Sequence, residues 1–329
     1  MNKTLFSIVI PVYNTKIDYL KNCFESIKNQ TYSHYEVIII DDGSSLETKE
    51  FLKQYESEYF IIHQPTNKGI VIGRKMGVKN SKGDYVIFLD SDDILNNKAL
   101  EKLNSIIVSN NPDVILFETP RFTNNISECK PYDDFLFNDG LVNKNDIMKE
   151  LLSLHINGIA DKVAKRELLD FTKDNLDESI INGEDLQQST ALILKSEKFY
   201  YTHEEICYYR TGFSGRTYYD VTKINDINYM VPPYKMTFEK KNEYNNLLPE
   251  YKRACINSII YNVFCIYEAK LPKKETYNLL NNINNLEITN IMSNIKEKIN
   301  FPSEFVFSLL RNRHYFILSI LAKIYPLQH

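Results

Sequence analysis

The sequence predicts an α/β fold: a Rossmann-like, mostly parallel central sheet with flanking helices on both faces, plus a C-terminal helical appendage. Three observations carry this expectation. From residue 5 to about 118, short apolar runs alternate with longer amphipathic stretches. The runs are continuously apolar, as strands buried on both faces require. Beyond about residue 222 the composition shifts to Asn, Lys, Tyr and Ile at helical spacing.

The elements follow in order. Leu5–Ile10 is a strand that Pro11 stops, and residues 17–29 place Leu20, Phe24 and Ile27 on one helix face. Tyr35–Ile40 is the second strand, 46–56 a polar helix, and Tyr59–His63 the third strand. Residues 70–80 read as a helix, Tyr85–Leu89 as the fourth strand, 97–110 as a helix and Val114–Phe117 as the fifth strand. Residues 119–145 are irregular or hairpin, and helices resume at 146–155 and 184–195. Further on, Ile256, Ile259, Ile260 and Val263 fit one helix face. The expected division is an α/β region of residues 1–220, with halves at 1–118 and 119–220, and a helical region of 221–329.

Composition sets the limits. A chain of 329 residues can hold two domains, and 43% hydrophobic with 25% charged residues argues against disorder. With 39 Lys+Arg against 43 Asp+Glu, the net charge of −4 gives no general attraction for nucleic acid. The five cysteines form no C-x-x-C and suit neither a disulfide framework nor a zinc site. The first residues lead straight into a strand, with no signal-peptide pattern, and no stretch reaches the roughly 18 apolar residues of a membrane span. The expectation is a reducing, cytoplasmic compartment.

Parallel sheets bind ligands beyond the carboxyl ends of their strands. That rule selects Pro11–Asn14, Asp41–Ser44 and Asp90–Asp93. Three carboxylates in Asp90-Ser91-Asp92-Asp93 repel unless solvated or neutralised, and a hard cation such as Mg²⁺ or Mn²⁺ suits them. The competing account makes Asp93 a helix N-cap and the others loop acids. Tyr13 offers a stacking face for a base, and an Asp of the second exit accepts from a base N–H. Asn67-Lys68-Gly69 with Gly73-Arg74 adds helix-start amides and a cation for phosphates. The alternative for Arg74 is an ordinary surface helix residue.

Taken together, Ser7-Ile8-Val9-Ile10-Pro11-Val12-Tyr13-Asn14, Asp41-Asp42-Gly43-Ser44, Asn67-x-Gly69, Gly83-Asp84-Tyr85 and Leu89-Asp90-Ser91-Asp92-Asp93 resemble the family 2 glycosyltransferases. The resemblance implies a GT-A fold and a metal-dependent enzyme, of the bacterial surface-polysaccharide type, using nucleotide sugars. It implies that Pro11 and Tyr13 stack on uracil and that Asp42 meets the uracil edge. Asp90 and Asp92 would be the D-x-D pair, with Asp90 near the ribose or sugar, Ser91 also on the nucleotide-sugar, and Mn²⁺ or Mg²⁺ held by Asp92 and Asp90. Arg74 stands where the family carries a cation after its N-x-G, here Asn67. Asn182-Gly183-Glu184-Asp185-Leu186 resembles the G-E-D-x motif, which makes Asp185 the catalytic base, with Glu184 positioning the acceptor or tuning the pair. The competing account is an acidic first turn of a helix. Lys162 matches a family lysine, although Asp161 and Ala164 depart from that motif. Tyr208-Tyr209-Arg210 with Ser214-Gly215-Arg216 resembles a closing loop whose Arg210 and Ser214 meet the diphosphate; a basic flexible loop is the alternative.

The implied activity is inverting transfer from a UDP-sugar to a hydroxyl of a glycan or lipid-linked acceptor, in capsule or cell-surface polysaccharide synthesis. The rivals are a non-catalytic nucleotide-sugar-binding partner subunit and, less well matched, a nucleotidyltransferase. Residues 301–325 form an aromatic, basic, amphipathic segment. It suits either docking, on the domain or in a homodimer, or the inner face of a plasma membrane.

Overall fold

The structure is a computed structural model and describes residues 3–129, 135–171, 174, 176, 178, 183–211, 221–239, 242–299 and 301–324. Its first elements are β1 (Phe6–Val12), α1 (Ile17–Lys28), β2 (Tyr35–Asp41), α2 (Leu46–Lys53), β3 (Phe60–His63), α3 (Ile70–Asn80) and β4 (Tyr85–Phe88). Next come β5 (Ile94–Leu95), α4 (Ala99–Asn110), β6 (Val114–Phe117), β7 (Arg121–Phe122), β8 (Gly140–Val142), α5 (Lys144–Leu152) and β9 (Lys162–Lys165). Then follow α6 (Glu184–Lys195), β10 (Phe199–Thr202), β11 (Cys207–Arg210) and α7 (Val231–Tyr234). The last helices are α8 (Leu248–Glu268), α9 (Lys273–Asn285), α10 (Glu287–Asn294), α11 (Phe301–Arg311) and α12 (Tyr315–Ile324).

The main sheet has the order β3-β2-β1-β4-β9-β6-β10-β8. β9 runs antiparallel between β4 and β6, and β8 antiparallel on β10, while the other six strands point one way. The GT-A-type α/β fold is therefore present, with a reversed strand in mid-sheet that the sequence reading left out. Lys162-Val163-Ala164-Lys165 is too short and too polar at its ends to announce a buried strand. β5, β11 and β7 form a separate small sheet.

Pro11 does not stop β1, which runs through it to Val12. The Val9 carbonyl accepts from Leu89 on the β4 side and the Val12 carbonyl from Asp42 on the β2 side. Pro11 shares Val9's direction, but pairing with β4 ends at Val9. Its missing N–H thus falls beyond the ladder and costs no hydrogen bond.

Alternation along β1 builds both faces of the sheet. Phe6, Ile8, Ile10 and Val12 join Leu20, Cys23, Phe24 and Ile27 of α1 and Leu100 and Leu103 of α4 in one apolar core. On the other face α3 packs over Val9 and Pro11, so closely that a Cβ on Gly77 would run into the Val9 side chain. An aromatic cluster adds to the apolar core: Phe24 packs against Phe51, Tyr55 and Tyr59 at ring separations of 4.8–5.9 Å.

The chain divides into two compact units that interleave in sequence. The first comprises Met1–Ile147, Gly158–Ser179 and Ala191–Ser214; the second comprises Met148–Asn157, Ile180–Thr190 and Gly215–His329. In the second, α8 packs against α9, α10, α11 and α12, with Ile256, Ile259 and Val263 buried. Lys252 of α8 is also buried, held by the Ile295 and Glu297 carbonyls and by Glu304 at 2.6–3.2 Å.

Candidate active site

In the first unit the exits of β1, β2 and β3 are stitched together by polar side chains. The Asn14 amide donates to Ser44 Oγ at 3.1 Å and the Ser45 amide to Asn14 Oδ1 at 2.8 Å. Asp42 is buried, and its carboxylate accepts from Gln64 Nε2 at 2.9 Å and from the Lys68 and Gly69 amides at 2.7 and 2.8 Å. Asn67 Oδ1 accepts the same Gly69 amide at 3.0 Å. Asp42 thus fixes the approach to α3, the segment that carries Asn67. Tyr13 remains 52% exposed at the end of β1, an aromatic ring open to a stacking partner.

Arg74, on the first turns of α3, is no surface residue: it is 1% exposed. Its guanidinium lies 5.7 Å over the Phe88 ring, and Nη2 is 3.4 Å from Asp90 Oδ1. A cation is thereby placed against the first acid of the D-x-D pair, where it offsets repulsion among clustered carboxylates. Ser91 is buried and pairs with Thr15 Oγ1 at 2.6 Å, tying this turn to the β1 exit.

Asp93 does not cap α4, whose first residue is Ala99. Its amide donates to the Asp90 carbonyl at 3.0 Å, closing a tight turn, and its carboxylate accepts the Arg210 amide at 2.8 Å. Burial, then Asp90 and Asp92, raises its carboxyl well above the usual range, against the pull of Arg210. Asp93 is a brace for the turn.

Arg210 lies in β11, buried, rather than in a flexible closing loop. Its Nε donates to the Asp92 carbonyl at 2.8 Å, and its guanidinium is sandwiched 4.2 Å from the Tyr19 ring centre and 4.4 Å from that of Phe122. Pairing of β11 with β5 and β7 removes the freedom a closing loop would need. Arg210 is a positioning residue for Asp92. Tyr209 beside it is partly exposed, and burial with the fields of Asp93, Asp90 and Asp92 raises its hydroxyl's pKa. Ser214, Gly215 and Arg216 lie outside the described residues, as does Asn182.

Because β9 is reversed, its first residue, Lys162, pairs with Leu116 near the carboxyl end of β6, on the same sheet edge as the acids. The lysine is buried and contacts Asp161 Oδ1 at 2.5 Å and the Gly158 carbonyl. Its ammonium is committed to a turn in the chain. The first unit therefore gathers Pro11, Tyr13, Asp42, Asn67, Arg74, Asp90, Ser91, Asp92, Lys162 and Arg210 on one edge of its sheets.

Glu184 and Asp185 open α6 in the second unit, Glu184 buried and Asp185 partly exposed. Gly183 precedes them at φ +88° and sits directly on the Tyr229 side chain, where no Cβ fits. A fixed glycine thus sets where the two acids start. Sequence reasoning missed Thr15, Gln64, Tyr19 and Phe122. Gln64 had one usable signal, its place directly after the third strand; the other three had none.

Asp90 and Asp92 present hard carboxylate oxygens, and among the described residues no three Asp, Glu, His or Cys side chains form a closed cation site. Mg²⁺ and Mn²⁺ accept such a set, one or two carboxylates with open positions for phosphate oxygens. The thiols near the acids do not compete. Burial and then the neighbouring Asp93 push Cys23 and Cys207 well up, so both stay protonated.

A family model described as Glycosyl transferase family 2 matches residues 7–171. The chain is 34% identical over 115 residues to glycosyltransferase GlyG of Streptococcus pneumoniae, covering 34% of this chain and 38% of that protein. It is 36% identical over 116 residues to the poly(ribitol-phosphate) beta-glucosyltransferase of Bacillus spizizenii, covering 33% and 18%. The chain spans less than half the length of these curated relatives. The crystal structure of S. aureus TarS 1-349 in complex with UDP-GlcNAc superposes with TM-score 0.71 at 16% identity, covering 97% of this chain and 90% of that one. That likeness is one of fold.

Proposed function

The chain belongs to glycosyl transferase family 2, and on that premise we propose inverting transfer of a sugar from a UDP-sugar to a glycan or lipid-linked hydroxyl in cell-surface polysaccharide synthesis. The observation that carries this reading is the Asp90–Asp92 pair beyond β4, backed by buried Arg74 and braced by Arg210. The S. aureus TarS complexes with UDP and UDP-GlcNAc support a uridine donor. The poly(ribitol-phosphate) glucosyltransferase supports a hydroxyl-bearing surface polymer as acceptor.

In this reading uracil stacks on Tyr13 beside Pro11. Asp42, with three donors already in place, has one lone-pair site left for the uracil N–H. Asp92 and Asp90 would hold Mn²⁺ or Mg²⁺, which when bound would supply Lewis-acid stabilisation of the diphosphate leaving group. Arg74 orients the Asp90 carboxylate through its guanidinium. Asp185 takes the acceptor hydroxyl's proton as that oxygen attacks the anomeric carbon, with Glu184 beside it in the first turn of α6.

Isothermal titration of UDP, with and without Mn²⁺, tests the metal pair. Wild type is expected to bind at least about tenfold tighter with Mn²⁺, and Asp92→Ala to lose that gain. Metal-independent binding, equal in both proteins, overturns the assignment. UDP release from a UDP-sugar with metal present separates an enzyme from a binding subunit.

A further inference from the structure

The segment 301–324 sorts its apolar side chains onto two faces. α11 buries Phe307, Leu309 and Leu310, and α12 buries Tyr315, Leu318 and Ala322. Tyr315 is fastened at both ends: its carbonyl accepts from Tyr267 Oη, and its own hydroxyl donates to Asn281 Oδ1, each at 2.7 Å. α12 is therefore docked in its unit by one face. The other face leaves Phe316 71%, Ile317 40%, Ile320 41% and Ile324 59% exposed.

At about 100° per residue these four side chains fill one arc of about 100°, opposite the buried arc, with Lys323 at its margin. Arg313, two residues before the helix, is also exposed. Arg311, Arg313 and Lys323 are the charged residues between Phe305 and Ile324, and no Asp or Glu lies in that stretch. A contiguous apolar face of this kind marks a contact surface. The charge pattern selects the partner. A second copy laid face to face would set cation against cation with no acid from this segment to offset them. Lipid phosphates complement the same cations. α12 is ten residues, about 15 Å long, against a hydrocarbon core of about 30 Å, so its length suits a bilayer surface and is too short for a crossing.

We propose that the outer face of α12 rests on a membrane surface rich in anionic phospholipid, with Phe316, Ile317, Ile320 and Ile324 in the acyl boundary and Arg313 and Lys323 at the phosphates. This rests on the second unit alone and is independent of the proposed reaction.

The test sediments the full chain with vesicles of phosphatidylcholine, or of phosphatidylcholine mixed with phosphatidylglycerol. The wild type is expected to pellet with the mixed vesicles. Phe316→Ser combined with Ile320→Ser should weaken this at least about tenfold, with circular dichroism and UDP binding unchanged because both side chains are exposed. Arg313→Gln and Lys323→Gln should each cost about fivefold, on the mixed vesicles only. A wild type that stays in the supernatant with both vesicle types overturns the proposal. So does a dimer in sedimentation equilibrium that the double serine variant splits into monomers, which would make a second copy the occupant.

Discussion

Gly43 fixes the strand exits by lacking a side chain. Its φ is +73°, and a Cβ there would stand 2.5 Å from the Thr66 carbonyl carbon, a main-chain atom that cannot swing aside. The left-handed backbone alone costs about 1–2 kcal/mol once a Cβ is present. Gly43→Ala is therefore expected to lower stability by about 2–4 kcal/mol. It should also weaken UDP binding, because it displaces the segment that Asp42 holds. Urea denaturation and UDP titration check both, and an unchanged midpoint would show that the loop relaxes freely. The sequence placed Gly43 in the exit of the second strand but held no sign of Thr66, which lies on another strand's exit. Arg74 teaches the same point. Its type and place after Asn67-x-Gly69 were legible, but its burial over Phe88 depends on how α3 lies on the sheet.

The middle of the sheet depends on one acid that the sequence left unremarked. Asp113 Oδ1 accepts from Lys165 of β9 at 2.9 Å, and Oδ2 accepts the Glu197 and Lys198 amides leading into β10 at 2.8 and 3.0 Å. Burial alone would raise its carboxyl, but Lys165 and the two amides outweigh it and hold the pKa below the usual value. A depressed folded pKa stabilises the fold fully above the unfolded value of about 4, and that contribution is lost as pH falls through the folded value. Asp113→Asn should cost about 1–2 kcal/mol at neutral pH. Thermal melts should show the gap from wild type closing below about pH 4, and a gap independent of pH would exclude the ionic account. β9, β10 and β11 escaped the sequence reading because, unlike the equally short β4 and β6, each mixes polar side chains into its four residues and shows no continuous apolar run. Without β11, Arg210 could only be read from its motif, as part of a loop.

The two units carry different parts of the proposed chemistry, and this separates the tests. Asp185→Asn, in the second unit, should leave the thermal shift caused by UDP intact while lowering turnover at least about a hundredfold. Retained turnover would rule out Asp185 as the base. The early strands and helices, the polar strand exits and the acid pair at 90 and 92 were set by the sequence itself, because they follow from local periodicity and from which side chains can bind a cation or a base. Tertiary structure alone decided the rest: β9 reversed in mid-sheet, Arg74 and Arg210 buried, Asp93 turned to a main-chain amide, and one face of α12 covered while the other stays open. Each of these is set by a neighbour distant in the chain, and burial is a property of the pair, which no local pattern records.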